Sequence, residues 1–144
     1  MSRDRNLESV KAFCFMETWK DVVGYEGIYK VSNLGNVKRI GKIHLCNYKY
    51  QNGYLLKPLD NGKGYLRIKL SNKGISKRVM LHRIIAEAFI KNSNNYPYVN
   101  HIDGNKKNNN IKNLEWCTQS HNCLHSVKMG TWGALSNNRK KLYI

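Results

Sequence analysis

His101 stands in the run Val99-Asn100-His101-Ile102-Asp103-Gly104-Asn105, and Asn113 and Asn122 follow it at 12 and 21 residues. An imidazole with an ordinary pKa of about 6.5 can accept a proton from water near neutral pH. Carboxamide oxygens are ligands for a hard cation such as Mg²⁺. One base and a few oxygen donors suit a one-metal site that cleaves a phosphodiester.

Those side chains need a frame. Residues 98–102 form a short apolar strand, residues 103–105 an Asp-Gly-Asn turn, and residues 106–110 a polar loop. Residues 111–117 return as the second strand of a hairpin, and Thr118 or Ser120 can cap a helix running to Gly130. Upstream, Leu81, Ile84, Ile85, Ala88 and Phe89 recur at helical spacing, predicting a helix over residues 81–92 that ends at the asparagines before Pro97. Asp103 reads as a turn residue, because Asp-Gly is a strong hairpin signal.

Residues 17–80 are punctuated by glycine, with short β-favouring runs between. Residues 28–31 and 37–40 flank the turn Asn33-Leu34-Gly35-Asn36. In residues 65–70, Leu66, Ile68 and Leu70 alternate with Arg67 and Lys69, and a further run holds Lys77 and Arg78. One small antiparallel sheet follows, with an apolar face and a basic face. Lys38, Arg39, Arg67, Lys69, Lys77 and Arg78, with Lys106 and Lys107 of the polar loop, are the candidate DNA contacts. A β-ribbon fits the major groove.

Charge supports a polyanionic partner. The 144 residues carry 25 basic and 9 acidic side chains, a net of +16. From residue 27 onward 21 basic groups face only Asp60, Glu87, Asp103 and Glu115. Such self-repulsion favours a partner that supplies negative charge. No apolar run is long enough to span a bilayer, so no membrane partner is expected. Hydrophobic content of 41%, with nine tyrosines and three tryptophans, is that of a folded domain. Cys14, Cys46, Cys117 and Cys123 include no CxxC pair, and the N-terminus has no apolar signal region. Both point to a reduced, intracellular (cytoplasmic) protein with free thiols.

Residues 82–90 with 98–126 resemble the HNH endonuclease module, and residues 19–40 resemble the N-terminal DNA-binding module that accompanies it in phage homing endonucleases. The paired occurrence, in this order, is more specific than either part. The resemblance implies an α+β chain: a small antiparallel N-terminal sheet followed by a ββα-metal (HNH, His-Me finger) nuclease module. It divides the chain into a leader (1–16), a β-rich DNA-binding module (17–80), a nuclease module (81–130) and a basic tail (131–144). Carried over by position, His101 is the general base, Asn100 and Asn122 are the metal ligands, and Asn113 holds the loop and orients the histidine. Relatives often carry Asp where Asn100 stands. Two neutral amides would bind Mg²⁺ or Mn²⁺ weakly, leaving phosphate and water to complete its coordination.

His82 matches a recurrent position of the linking helix, with phosphate contact and packing both open. Cys117, His121 and His125 are spaced to line one helix face, but the paired CxxC ligands of zinc-bearing relatives are absent, which argues against zinc. His125, one turn beyond Asn122, is the candidate accessory ligand or phosphate contact. Trp116 and Trp132 read as core or lid residues. Residues 131–144 are too few to read a long site. The expectation is a metal-dependent endonuclease acting as a monomer on double-stranded DNA and nicking one strand. The competing expectations are a DNA-binding protein of the same fold that has lost cleavage, and a ribonuclease.

Overall fold

The computed structural model describes residues 16–40 and 53–130. The expected leader through residue 15, and the tail from residue 131 with Trp132, lie outside the described residues. Trp19–Asp21 (β1), Tyr29–Ser32 (β2), Val37–Arg39 (β3) and Tyr54–Leu55 (β4) form one antiparallel sheet in chain order. Leu59–Asp60 (β5), Leu66–Asn72 (β6) and Ile75–Met80 (β7) form a second. The sequence predicts one sheet here and the structure has two. Pro58 lies between β4 and β5 and has no N–H to carry the ladder on. The two sheets are tied by Tyr29, whose hydroxyl accepts from the Ser71 N–H at 3.0 Å and donates to the Ser71 carbonyl.

The expected alternation on β6 holds: Ile68 and Leu70 are buried and Lys69 is exposed. Lys69 pairs with Arg78 and Arg67 with Met80, so these side chains share the outer face. Lys77 pairs with Leu70 and therefore lies on the opposite face, away from the basic cluster.

Leu81–Phe89 (α1) follows β7 directly and buries Leu81, Ile84, Ile85 and Ala86. It ends three residues before the predicted Asn92. Asn92 is engaged elsewhere: its side chain accepts from the Tyr96 N–H at 2.8 Å and donates to the Tyr96 carbonyl at 2.9 Å. An Asn that closes a local turn competes with the helix. The freed Ile90 carbonyl accepts from Trp116 Nε1 at 3.0 Å, which makes Trp116 a packed core residue.

Tyr98–His101 (β8) and Leu114–Cys117 (β9) form the hairpin, with a 3₁₀ turn at Ile111–Asn113 where the sequence reading continued the strand. Gln119–Lys128 (α2) follows, capped by Thr118 Oγ1 accepting from the His121 N–H at 3.2 Å. One buried cluster runs from Val22, Val31 and Val37 through Ile68, Leu70, Ile84 and Ile85 to Val99 and Leu114. The hairpin is thereby packed against both sheets through α1. No helix among the described residues is long and apolar enough to cross a membrane.

Candidate active site

Asn100, His101, Asn122 and His125 line one cavity of about 40 Å³, together with Tyr65, Gly104, Lys106, Ser126 and Met129. The sequence places the first four on a strand and a helix; the fold brings them to one small volume. Asn100 and His101 are both 4% exposed, so their polar atoms must find partners inside the protein or in the cavity.

His101 ends β8, and its Nε2 lies 2.9 Å from Asn109 Oδ1. A carboxamide oxygen only accepts, so Nε2 carries the proton and Nδ1 keeps its lone pair. The Tyr65 and His82 rings pack against the His101 ring, with centroids 6.0 and 5.0 Å away. Burial lowers the His101 pKa most, the Asn109 bond and Asp103 oppose that, and Lys106 adds to it. The net result is a ring held neutral. His82 is pushed down to about 4 by burial first, then by His101 and Arg83. Its Nδ1 is buried and without a hydrogen bond among the described residues. His82 packs in a three-ring cluster with Tyr65 and His101, at centroid distances of 5.3 and 5.0 Å.

The Asn113 side chain bonds within the loop, and none of its hydrogen bonds reaches the His101 side chain. Its Nδ2 donates to Asp103 Oδ1 at 2.9 Å and to the Asn108 carbonyl at 2.8 Å, and its Oδ1 accepts from the Asp103 N–H at 2.9 Å. Asp103 is the turn residue expected. It also accepts from the Asn108 side chain and from the Asn105 N–H, and these bonds, Asn108 first, hold its carboxyl below the usual range. The ring's hydrogen bond goes to Asn109, which was not among the sequence candidates. In the triplet Asn108-Asn109-Asn110 no local signal separates the one that faces the histidine. The first sheet supports this loop: the Asn33 carbonyl accepts from the Ile111 N–H at 2.9 Å. Gly35, at φ +97°, lies so close that an added Cβ would come 3.2 Å from the Asn109 carbonyl oxygen.

The donors fit a hard divalent cation. Asn100 Nδ2 donates to Glu115 Oε1 at 2.9 Å, which leaves Asn100 Oδ1 as the amide atom for the cavity. Asn122 borders the same cavity from α2. His125 Nε2 donates to the Ile102 carbonyl at 2.9 Å, leaving Nδ1 as its free acceptor. Cys117, His121 and His125 do not share a helix face, because Cys117 ends β9 and α2 starts at Gln119. Among the described residues no three His, Cys, Asp or Glu side chains gather to hold a metal.

The basic candidates divide into three groups. Lys69 and Arg78 face solvent side by side on the ribbon; Arg67 shares their face, but its Nε is buried and unbonded among the described residues. Lys38 lies over the Trp19 ring at 4.1 Å and Arg39 over Tyr29 at 5.6 Å, so both are partly occupied by packing. Lys106 caps the Tyr65 ring at 4.4 Å, donates to the Lys63 carbonyl and borders the cavity, whereas Lys107 lies 3.8 Å from Asp60. Tyr65 was not among the sequence candidates; its place after Gly64, just before β6, carries no chemical signal.

Residues 17–71 match the NUMOD4 motif and residues 79–124 match the HNH endonuclease family. An uncharacterized HNH endonuclease, L245, of Acanthamoeba polyphaga mimivirus is 51% identical over 83 residues, 58% of this chain and 25% of that protein. The DNA endonuclease I-HmuI of Bacillus phage SP01 is 39% identical over 113 residues, 78% of this chain and 59% of that protein. A solved structure of DNA binding and cleavage by the HNH homing endonuclease I-HmuI matches with a TM-score of 0.66 at 38% identity, covering 79% of this chain and 60% of that one. The chain thus spans from a quarter to about three fifths of the length of these relatives.

Proposed function

We propose that this chain, a member of the HNH endonuclease family with a NUMOD4 motif ahead of its HNH segment, is a metal-dependent DNA endonuclease of the homing type that nicks one strand of duplex DNA. The observation that carries this reading is the single cavity shared by Asn100, His101 and Asn122, with the Nδ1 lone pair of a neutral His101 left over.

In this reading His101 Nδ1 takes a proton from water as the water oxygen bonds to phosphorus and the bond to the 3′ oxygen breaks, and the departing oxygen takes a proton from solvent. The products carry a 5′-phosphate and a 3′-hydroxyl. Asn109, Tyr65 and His82 hold the ring, and Asn113 holds the loop that carries Asn109. Asn100 and Asn122 are the residues that would hold Mg²⁺ or Mn²⁺, which when bound supplies Lewis-acid relief of the charge growing on the phosphate and the departing oxygen. His125 is a further acceptor at the rim. Lys106 faces the scissile phosphate.

Residues 17–80 bind and residues 81–130 cut. Lys69 and Arg78 are direct cross-strand partners, and like charges so placed destabilise a sheet unless an anion sits between them. Backbone phosphate is that anion; Arg67, Lys38, Arg39 and Lys107 extend the same field, while Lys77 adds charge from the opposite face. One site per chain makes a monomer that nicks, in the cytoplasm where its DNA resides.

A plasmid-nicking assay in Mg²⁺ or Mn²⁺ tests the reading. His101→Ala should bind DNA as the wild type does and cut about 10²–10⁴-fold more slowly. If neither protein cuts while both bind, the neutral Asn100 marks a DNA-binding protein without cleavage. If RNA alone is cut, the substrate class is wrong.

A further inference from the structure

We propose that Glu115 is a positioning residue for the metal site: it fixes the Asn100 amide with its oxygen toward the cavity and supplies the negative charge that a neutral ligand lacks. The inference rests on the function proposed above. Asn100 and Glu115 are register partners across β8 and β9, so their side chains leave the same face of the hairpin. The contact is Nδ2 to Oε1 at 2.9 Å. An ionised carboxylate only accepts, so the amide nitrogen must face it. The Oδ1 is thereby turned the other way. Glu115 does not border the cavity that Asn100 lines; it borders the neighbouring one beside Trp116, so it acts through the amide. His121 Nδ1, at 3.8 Å, is its second neighbour.

The arrangement explains why Asn, and not Asp, stands at position 100. An Asp there would set two carboxylates face to face at hydrogen-bond distance. The chain carries one carboxylate and one amide, with the carboxylate on β9. Polarisation of the amide by Glu115 raises the electron density on Oδ1, and outer carboxylates of this kind commonly alter metal affinity ten- to a hundred-fold.

Mn²⁺ titration of the full chain, followed by the free-ion EPR signal, reads the effect without cleavage. Glu115→Gln keeps the acceptor and removes the charge, and the Mn²⁺ half-saturation should rise several-fold with little change in Tm. Glu115→Leu frees the amide to flip and should raise it about tenfold or more. Asn100→Asp alone should lower the metal-free Tm through repulsion with Glu115. The exchange Asn100→Asp with Glu115→Gln restores a donor–acceptor pair of reversed polarity, and should recover the Tm and bind Mn²⁺ at least as well as the wild type. Half-saturation unchanged in both Glu115 variants overturns the proposal and leaves the function standing if the wild type nicks DNA. A merely structural role would move Tm and half-saturation in Glu115→Leu alone and leave Glu115→Gln at wild-type affinity, which also overturns it. A wild type that neither takes up Mn²⁺ nor nicks DNA removes both readings together.

Discussion

Around His101 the polar groups are neutral amides, buried and filled with hydrogen bonds: Asn100 to Glu115, Asn109 to His101, Asn113 to Asp103 and Asn108. On the β6–β7 ribbon they are charged, and Lys69 and Arg78 face solvent next to each other. The cavity sets orientation, at short range and with little dependence on salt. The ribbon sets attraction, at long range and screened by ions. In the function proposed above, reaction belongs to one region and affinity to the other, and substitutions in each should move different observables.

The largest separation is expected at Asn113. Asn113→Ala removes three side-chain hydrogen bonds from a buried site and should cost about 3 kcal/mol in denaturant unfolding, with cleavage lost as the loop loosens. DNA affinity below the melting range should stay near that of the wild type. A loss of affinity as large as the loss of stability would erase the division between the regions.

His82 offers a second test on the cavity side. Its folded pKa of about 4 lies below the ordinary value of 6.5. The unfolded chain therefore binds the extra proton first, so the stability tied to this ring is complete above pH 6.5 and is lost as pH falls through 4. The change is about 3 kcal/mol across that window. His82→Phe, which keeps a ring packed against Tyr65 and His101, should flatten the unfolding free energy between pH 7 and 4.5. A slope identical to the wild type would reject the assignment.

Asn109→Ala should lower the plateau of kcat about ten- to hundredfold and cost about 1 kcal/mol of stability, because the buried His101 Nε2 loses its partner. The Asn109 bond favours the protonated ring, so its loss moves the acid limb of the pH profile to lower pH. A plateau that falls with no shift of the limb would mean that Asn109 acts on the loop and not on the ring.

The smallest effect belongs to the ribbon. Lys69→Ala with Arg78→Ala should weaken DNA binding and reduce the salt slope by about 2, leaving kcat at saturating DNA unchanged. Lys77→Ala, on the opposite face, should change the slope less than either alone. Equal effects at all three positions would mean that net charge matters and the face does not.

Much of the frame was legible because its signals are local. The alternation in residues 66–70, the apolar stripe of α1 and the Thr118 cap each depend on neighbours a few residues away, and each was found where expected. The departures have local causes. Helix α1 stops early because Asn92 closes a turn with Tyr96, the second strand gives way to a 3₁₀ turn at Ile111–Asn113 that Asn110 caps, and the sheet divides at Pro58, which has no N–H to pair.

Asn108, Asn109 and Asn110 show where reading by residue type stops. They are chemically identical and adjacent, yet the first bonds Asp103, the second bonds the His101 ring and the third caps the 3₁₀ turn through the Lys112 N–H. The amino-acid order by itself determined the reactive groups, the sign of the charge and the elements that carry them, because those properties belong to single residues or short spans. Only the tertiary structure decided which nitrogen of His101 is free, which way Asn100 turns and which face Lys77 takes. Those depend on hydrogen-bond direction and strand register between residues that the fold sets opposite one another, and residue type alone does not fix which partners meet.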